Sequence, residues 1–441
     1  MAARRPTTPR AQGTPHPRQN PRLELTTAGK VVVGLIAVVL CAVLAFSGFM
    51  FVRAMSGWAV AAASAVMGGS EDKEQQEPGI APVKARGPSN TTGMEHVQRI
   101  TGEIRPKSVV ADGHGTVIAN NMIYKHTLTV YDAGAMGLVK TVPDTVNLAE
   151  FGYPEERAGK TQGAPVEAAF SADGKYAYVT QYGLTGPGSG APSTDKCKGG
   201  DEIGRSAIFR LNMSKHVWDQ VIEVGRVPKF ISISPDGSTA IVSNWCDSSV
   251  SVVDLAKGKE IKQIPVDEAP RGSVILADNR TAYVTAMYAN ELYRLDLVEG
   301  TSKLVMKTGK KPRHLVLSPD GKRMYLTESG SDRLRVLDPT TGEVIEETRT
   351  GREPRSMSIS ADGTALYVVN YYANSMSKFD AHTLKELQRV KVGVHPVGVA
   401  YEPVHKRVWV ANYNGSIDVF NDNAAPSKDS EGAAQESSEQ G

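Results

Sequence analysis

Between residues 96 and 422 apolar and polar positions alternate in short runs, each closed by turn-forming residues. The run KFISIS (229–234) ends in an Asp-Gly turn, and TAIVSN (239–244) comes after it. After the loop WCDSS come VSVVD (250–254) and KEIKQIPV (259–266). A period of two, an enrichment in β-branched residues and Asp-Gly turns predict four successive strands joined by hairpins.

This four-strand unit recurs. PRHLVLSPDGKRMYLTES (312–329) returns as PRSMSISADGTALYVVNY (354–371), and the turn aspartates Asp236, Asp278, Asp320 and Asp362 stand 42 residues apart. One step on, EPVHKRVWVANY (402–413) keeps the strand pattern without the Asp-Gly. Backwards, Asp173 lies 63 residues before Asp236 and Asp112 lies 61 before Asp173, so two units carry insertions of about 20 residues. Seven units of four strands, at about 40–45 residues each, are the signature of a closed propeller rather than a solenoid. The predicted fold class is all-β, a seven-bladed β-propeller. Its last unit ends after three strands at GSIDVFND (415–422), while HVQRITGEIRPKSVV (96–110) aligns with ELQRVKVGVHPVGVA (386–400). The segment 96–104 is therefore expected to complete the last blade and leave no open sheet edge.

The phrases SPDGKRMYLTES, SADGTALYVVNY and SADGKYAYVTQY resemble the YVTN-repeat β-propeller family, which includes YncE-like periplasmic proteins and surface-layer proteins. Lactonase-type propellers are relatives. The resemblance spans residues 96–422 and implies the fold; through the YncE-like members it also implies nucleic acid as one candidate ligand. The matching residues belong to turns and cores, so it carries little about function. An apolar segment near the N-terminus and the two insertions depart from the simplest pattern of the family.

That segment, Val31–Val52, runs 22 residues without a charge, enough to cross a bilayer core as a helix. Arg4, Arg5, Arg10, Arg18, Arg22 and Lys30 precede it against Glu24 alone, and the acidic SEDKEQQE (70–77) lies beyond it. The positive-inside rule places the chain beyond Arg53 outside the cytoplasm. A cleaved signal peptide is the competing reading, with AVAAASA (59–65) offering a cleavage site, but the apolar run and the polar stretch before it are long for one. The expected organisation is a disordered cytoplasmic tail (1–29), a transmembrane helix (30–53), a Pro- and charge-rich stalk (54–95), the propeller (96–423) and a disordered tail (424–441), with the chain monomeric. With 50 basic and 48 acidic side chains, global charge points to no partner.

Local charge is different. A proline opens the innermost strand of every unit, and the residues after it are Lys107, Val166, Lys229, Arg271, Arg313, Arg355 and Val397. Five of the seven are cationic, and they are expected to converge on the channel mouth. Such a ring focuses a positive potential that attracts anions, which arginine binds through paired hydrogen bonds. The alternative is an ion-pair ring with Glu167, Asp247, Glu328 and Glu353, which are expected on the same face.

The loops between second and third strands bring aromatics to that face: Tyr124, Tyr182, Trp245, Tyr288, Tyr371 with Tyr372, and Tyr413. Basic residues interleaved with stacking platforms suit single-stranded nucleic acid or another anionic polymer, and Trp245, Tyr371 and Tyr413 are the candidates. The same positions also serve to fill gaps between blades. The chain has no Gly-x-Ser-x-Gly, His-Glu-x-x-His, Cys-x-x-Cys-His or phosphate loop, so binding is favoured over catalysis and no cofactor or metal is expected. His314 and His395 fall on the mouth face, His314 being the candidate. Resemblance to lactonase-type propellers implies Glu167, Asn244, Asn370 and Asn412 as a possible metal set for the alternative, an enzyme; a protein-interaction scaffold is the third reading. Of three cysteines, Cys197 lies in the insertion 183–205 and Cys246 in the equivalent loop of the next blade. Adjacent loops in an oxidising compartment predict a disulfide between them.

Overall fold

The computed structural model describes residues 87–197 and 202–425. Over these residues the chain forms seven four-stranded antiparallel sheets. The innermost strand of each sheet packs on that of the next, and the first blade meets the seventh. This is a seven-bladed β-propeller, with short 3-10 turns at Ser89–Thr91 and Leu148–Phe151. No helix among them is long and apolar enough to cross a membrane; the apolar run 31–52 lies outside the described residues.

Blade three shows how the sequence writes a blade. Its strands are Pro228–Ile233, Thr239–Asn244, Ser249–Asp254 and Lys259–Pro265. In the first turn, the Ser234 hydroxyl and the Ser238 N–H both donate to Asp236 Oδ1, at 2.6 and 3.0 Å. Gly237 takes φ +72° there, a conformation that costs glycine least. Blade four writes the turn with Asn279 at φ +56° in place of glycine, the substitution the left-handed region tolerates best.

The tyrosine of the repeated phrase joins blades. Tyr283 donates to the Pro339 carbonyl at 3.0 Å, Tyr325 to that of Ala381 at 2.9 Å, and Tyr367 to Asp422 Oδ2 at 2.5 Å. All three side chains are buried, so each contributes a large apolar face to the gap between sheets and satisfies its hydroxyl in the next blade. The innermost strands approach so closely that a Cβ on Gly272 would lie 2.6 Å from the Arg313 carbonyl oxygen.

The seventh sheet takes its outermost strand from the N-terminal side: Gly93–Ile100 pairs antiparallel with Ser416–Ala424. Asp418, fully buried, receives Arg99 Nε at 2.7 Å, His96 Nε2 at 3.0 Å and the Gly393 N–H at 2.8 Å. From blade six, Lys378 Nζ meets Asp422 Oδ1 at 2.5 Å and the Thr92 carbonyl at 2.8 Å. Ser89 and Asn90 reach Asp362 and Asp380, in the turns on the face opposite the channel mouth.

Both insertions sit at blade two. The first contains a small hairpin, Thr145–Asn147 with Lys160–Gln162, and its Val146 and Leu148 pack on Phe209 and Val221. Gln162 and Thr185 exchange backbone hydrogen bonds at 2.9 and 2.8 Å, which ties the first insertion to the second.

Candidate functional site: the basic channel mouth

Six of the seven first strands begin at the proline itself, from Pro165 to Pro396. In blades three to seven the residue before it is left-handed: Val227, Ala269, Lys311, Glu353 and His395 have φ between +55° and +60°. Each of their carbonyls accepts the N–H of the residue just past the second strand, namely Trp245, Met287, Ser329, Tyr371 and Tyr413. Non-glycine residues in this region cost about 1–3 kcal/mol each and persist where the surroundings hold them. These loops therefore fix, blade after blade, a post-proline side chain beside a loop side chain at the mouth.

The structure brings the post-proline residues together. Lys107, Val166, Arg271, Arg313, Arg355 and Val397 line one narrow space of about 20 Å³ with Glu167, Phe230, His314 and Ser356. Lys229 stands beside it, 4.3 Å from the Tyr182 ring centroid and 5.2 Å from that of Trp245. Beneath the mouth the channel opens to a cavity of about 200 Å³, lined by Ser108, Ser356 and Ser358 and by Glu167 and His314.

The five cations differ in their partners. Arg355 donates to Glu353 Oε1 at 2.9 and 2.5 Å and lies 3.4 Å over the Tyr371 ring. Lys229 is paired with Asp195. Lys107, Arg271 and Arg313 form no ion pair with any carboxylate among the described residues. Arg313 touches Met287 Sδ at 3.8 Å and Lys107 lies 5.6 Å from the Tyr413 ring.

Of the four acids expected to pair with the ring, Glu353 alone does. Asp247 is taken by Arg226 and Glu328 by Arg335 at 3.1 Å, each within its own blade or the adjoining loop. Glu167 lies beside the ring, but burial pushes its carboxyl up to about 7 despite the Ser108 hydroxyl and the Arg271 charge. The acid that does reach the ring, Asp195, comes from the insertion. Against the upward push of burial, the Lys229 charge holds its carboxyl down at about 2.

Crowding of like charge leaves a mark on the bases. Burial, then the charges of Arg271, Arg313, Lys229 and Arg355, lower Lys107 well below an ordinary lysine. Burial and then Arg271 and Arg355 lower Arg313 in the same way. Lys229 is lowered to about 7 by burial, opposed by Asp195 and reinforced by Arg271 and Arg313. His314 is lowered to about 3 by burial and by Arg271 and Arg313. Charges held so close, facing a narrow low-dielectric channel, are an unfavourable arrangement that an anion would relieve.

The aromatics divide. Tyr371 stacks on His395, with centroids 4.4 Å apart, and Tyr413 is half-buried beside Lys107. Trp245 is 6 % exposed, and its Nε1–H donates to the Asp195 carbonyl at 2.9 Å. It packs on Tyr288 and under the insertion with Val227, Ala269 and Met287, and so holds Asp195 over Lys229. Tyr124, Tyr288 and Tyr372 are exposed. Cys197 and Cys246 are disulfide-bonded, with Cα atoms 5.4 Å apart, two residues from Asp195 and next to Trp245.

The amides of the proposed metal set use their Nδ2 groups within their own blades, while the Oδ1 atoms of Asn244, Asn370 and Asn412 are buried without a hydrogen-bond partner among the described residues. Asn244 Nδ2 donates to Ser249 and Ser251, Asn370 Nδ2 to Ser375 and Ser377, and Asn412 Nδ2 to Ser416 and Asp418. Among the described residues no cluster of three or more His, Cys, Asp or Glu side chains has the arrangement of a metal site.

No family model matches the chain, and no curated protein does. Solved structures do. A chain of Kuenenia stuttgartiensis hydrazine synthase is 17% identical with a TM-score of 0.56, over 73% of this chain and 96% of that one. A chain from a mitotic checkpoint complex is 9% identical with a TM-score of 0.58, over 81% of this chain and 99% of that one. At these identities the likeness is one of fold, and the fold is the β-propeller.

Proposed function

We propose that the protein is a membrane-anchored, extracytoplasmic propeller of the YVTN-repeat, YncE-like kind that binds an anionic ligand or partner at its basic mouth, nucleic acid or an envelope polymer being the candidates. The observation that carries the reading is the convergence of Lys107, Arg271 and Arg313 on one narrow space without a carboxylate partner among the described residues. Half-buried like charges crowded together persist where something compensates them. Tyr413 at the rim supplies a π-face on which a base or ring can stack, whereas the two faces of Tyr371 are taken by Arg355 and His395. The anchor rests on the uncharged run Val31–Val52 and its basic flank.

The test is a titration of the full-length protein with a single-stranded oligonucleotide and with an anionic polysaccharide at rising salt. Binding that weakens steeply with salt is expected; absence of binding to both at low salt sinks the reading. Added protease should digest the propeller in intact, wall-stripped cells, and its protection there would refute the topology.

A further inference from the structure

We infer that the mouth reads one terminal phosphoryl group entering end-on, held by Lys107, Arg271 and Arg313, with the Nε2–H of His314 as an uncharged fourth donor. This rests on the mouth being an anion site and narrows that reading to a ligand class.

Space is the first argument. The gap between the cations is about 20 Å³, against the ~10–15 Å³ that holds one water, so it takes an oxygen or two of a terminal group while the phosphorus stays at the mouth. A polymer backbone does not thread through such a gap. The tip of a ligand reaches into it, with the rest of the molecule left among the rim tyrosines.

Charge is the second. A carboxylate or a phosphodiester linkage carries one negative charge. A phosphomonoester carries about −1.5 to −2 near neutral pH and presents three strong acceptor oxygens. Three cations without carboxylate partners, two of them guanidinium forks, match the phosphomonoester far better than the singly charged groups.

His314 is the third. Its Nδ1 accepts the Met357 N–H at 3.0 Å. A ring nitrogen that accepts bears no proton, so the neutral imidazole carries its proton on Nε2. The ring is fixed from the side by the edge of Phe230, 5.1 Å between centroids, and the residue lines both the mouth and the cavity beneath it. A neutral N–H donor under the cations adds a directed hydrogen bond without adding to their repulsion. Glu167 beside it holds its proton below about pH 7, so over that range it presents no charge against an incoming anion.

Two single-stranded oligonucleotides of one sequence, one 5′-phosphorylated and one ending in a 5′-hydroxyl, test this with the full-length protein, together with inorganic phosphate. The phosphorylated strand should bind about tenfold more tightly or better, as charge-assisted contacts worth ~1.5–3 kcal/mol require. Inorganic phosphate should compete with it. Binding of inorganic phosphate as tight as that of the phosphorylated strand would support the phosphoryl site and name the free ion as its source. Arg271→Gln and Arg313→Gln, each checked by thermal melting, should lose the preference for the phosphorylated end. Equal, salt-sensitive affinity for the two strands overturns the end-on inference and leaves the anion reading standing. No binding of either strand or of phosphate overturns the phosphoryl inference, and the anion reading falls with it only if the anionic polysaccharide also fails to bind at low salt.

Discussion

Gln181 Nε2 donates to Asp144 Oδ1 at 3.1 Å, with both side chains buried. The other two oxygens, Asp144 Oδ2 and Gln181 Oε1, have no partner and face the same empty corner at Gly163, where a Cβ would lie 2.7 and 2.4 Å from them. A proton on Oδ2 satisfies both. Burial pushes the Asp144 carboxyl up to about 8 against the Gln181 hydrogen bond, which keeps that proton in place at neutral pH.

A raised folded-state pKa binds a proton that the unfolded chain has released, so its stabilisation is complete below about pH 4 and fades as pH rises through about 8. Asp144→Asn keeps a donor toward Gln181 and does not titrate. Denaturant unfolding at pH 5 and pH 8 should show the wild type losing stability across that interval by more than the variant does. Equal losses in the two proteins would show that Asp144 is ionised in the fold.

Lys378 and Asp422 are both fully buried, and they join the outer part of blade six to the last strand of blade seven and to Thr92. Removing one partner from such a pair costs about 3–5 kcal/mol, because the other charge is left alone, whereas replacing both with apolar residues is often neutral. Lys378→Met should therefore lower the melting temperature sharply, and Lys378→Met with Asp422→Leu should recover at least half of the loss. A double variant no better than the single would mean that the Tyr367 and Thr92 contacts, not the charge pair, hold this corner.

The disulfide between Cys197 and Cys246 closes 49 residues of chain. Loop-closure entropy for that length is worth about 4 kcal/mol, and measured bridges give about 2–4. Replacing both cysteines with serine should lower stability by about that amount and loosen Asp195 from Lys229. Peptide mapping without reduction should recover the bridged pair from the wild type, and free thiols at both positions would refute the bridge.

What was legible in the sequence was whatever the repeat dictates. The turn aspartate recurs every 42 residues from Asp236 to Asp362 because these blades need the same left-handed corner, at Gly237, Asn279, Gly321 and Gly363. The proline before each innermost strand marks a fixed place on the ring, so Lys107, Arg271, Arg313 and Arg355 could be assigned to one mouth from spacing. Partners were not legible, because they depend on side-chain direction and on neighbouring strands. Glu328 lies on the mouth face by register, yet it turns to Arg335 on the strand beside it. Asp195 belongs to an insertion outside the repeat, where no register applies, and the predicted Cys197–Cys246 bridge tied that insertion to the neighbouring loop without showing which side chain it delivers to the ring. Trp245 occupies the aromatic position of its blade, but the disulfide-bonded insertion lies over it and buries the indole.

Arg313 and Arg355 occupy the same position in successive blades and differ only in what holds them. Arg355 is fixed by Glu353 and by the Tyr371 ring, whereas Arg313 has a thioether contact and repelling neighbours. If the mouth binds an anion, Arg313→Ala should weaken polyanion affinity by about tenfold or more and make the affinity less sensitive to salt, since one fewer counterion is released. Its melting temperature should stay level or rise, because the change relieves like-charge crowding and unpairs no acid. Arg355→Ala should do the reverse: a smaller loss of affinity and a lower melting temperature, because Glu353 loses its partner and Tyr371 its cover. Melting and titration of the two variants side by side decide the matter. A destabilised Arg313→Ala protein with wild-type affinity would mean that the ring is an element of structure and not a binding site.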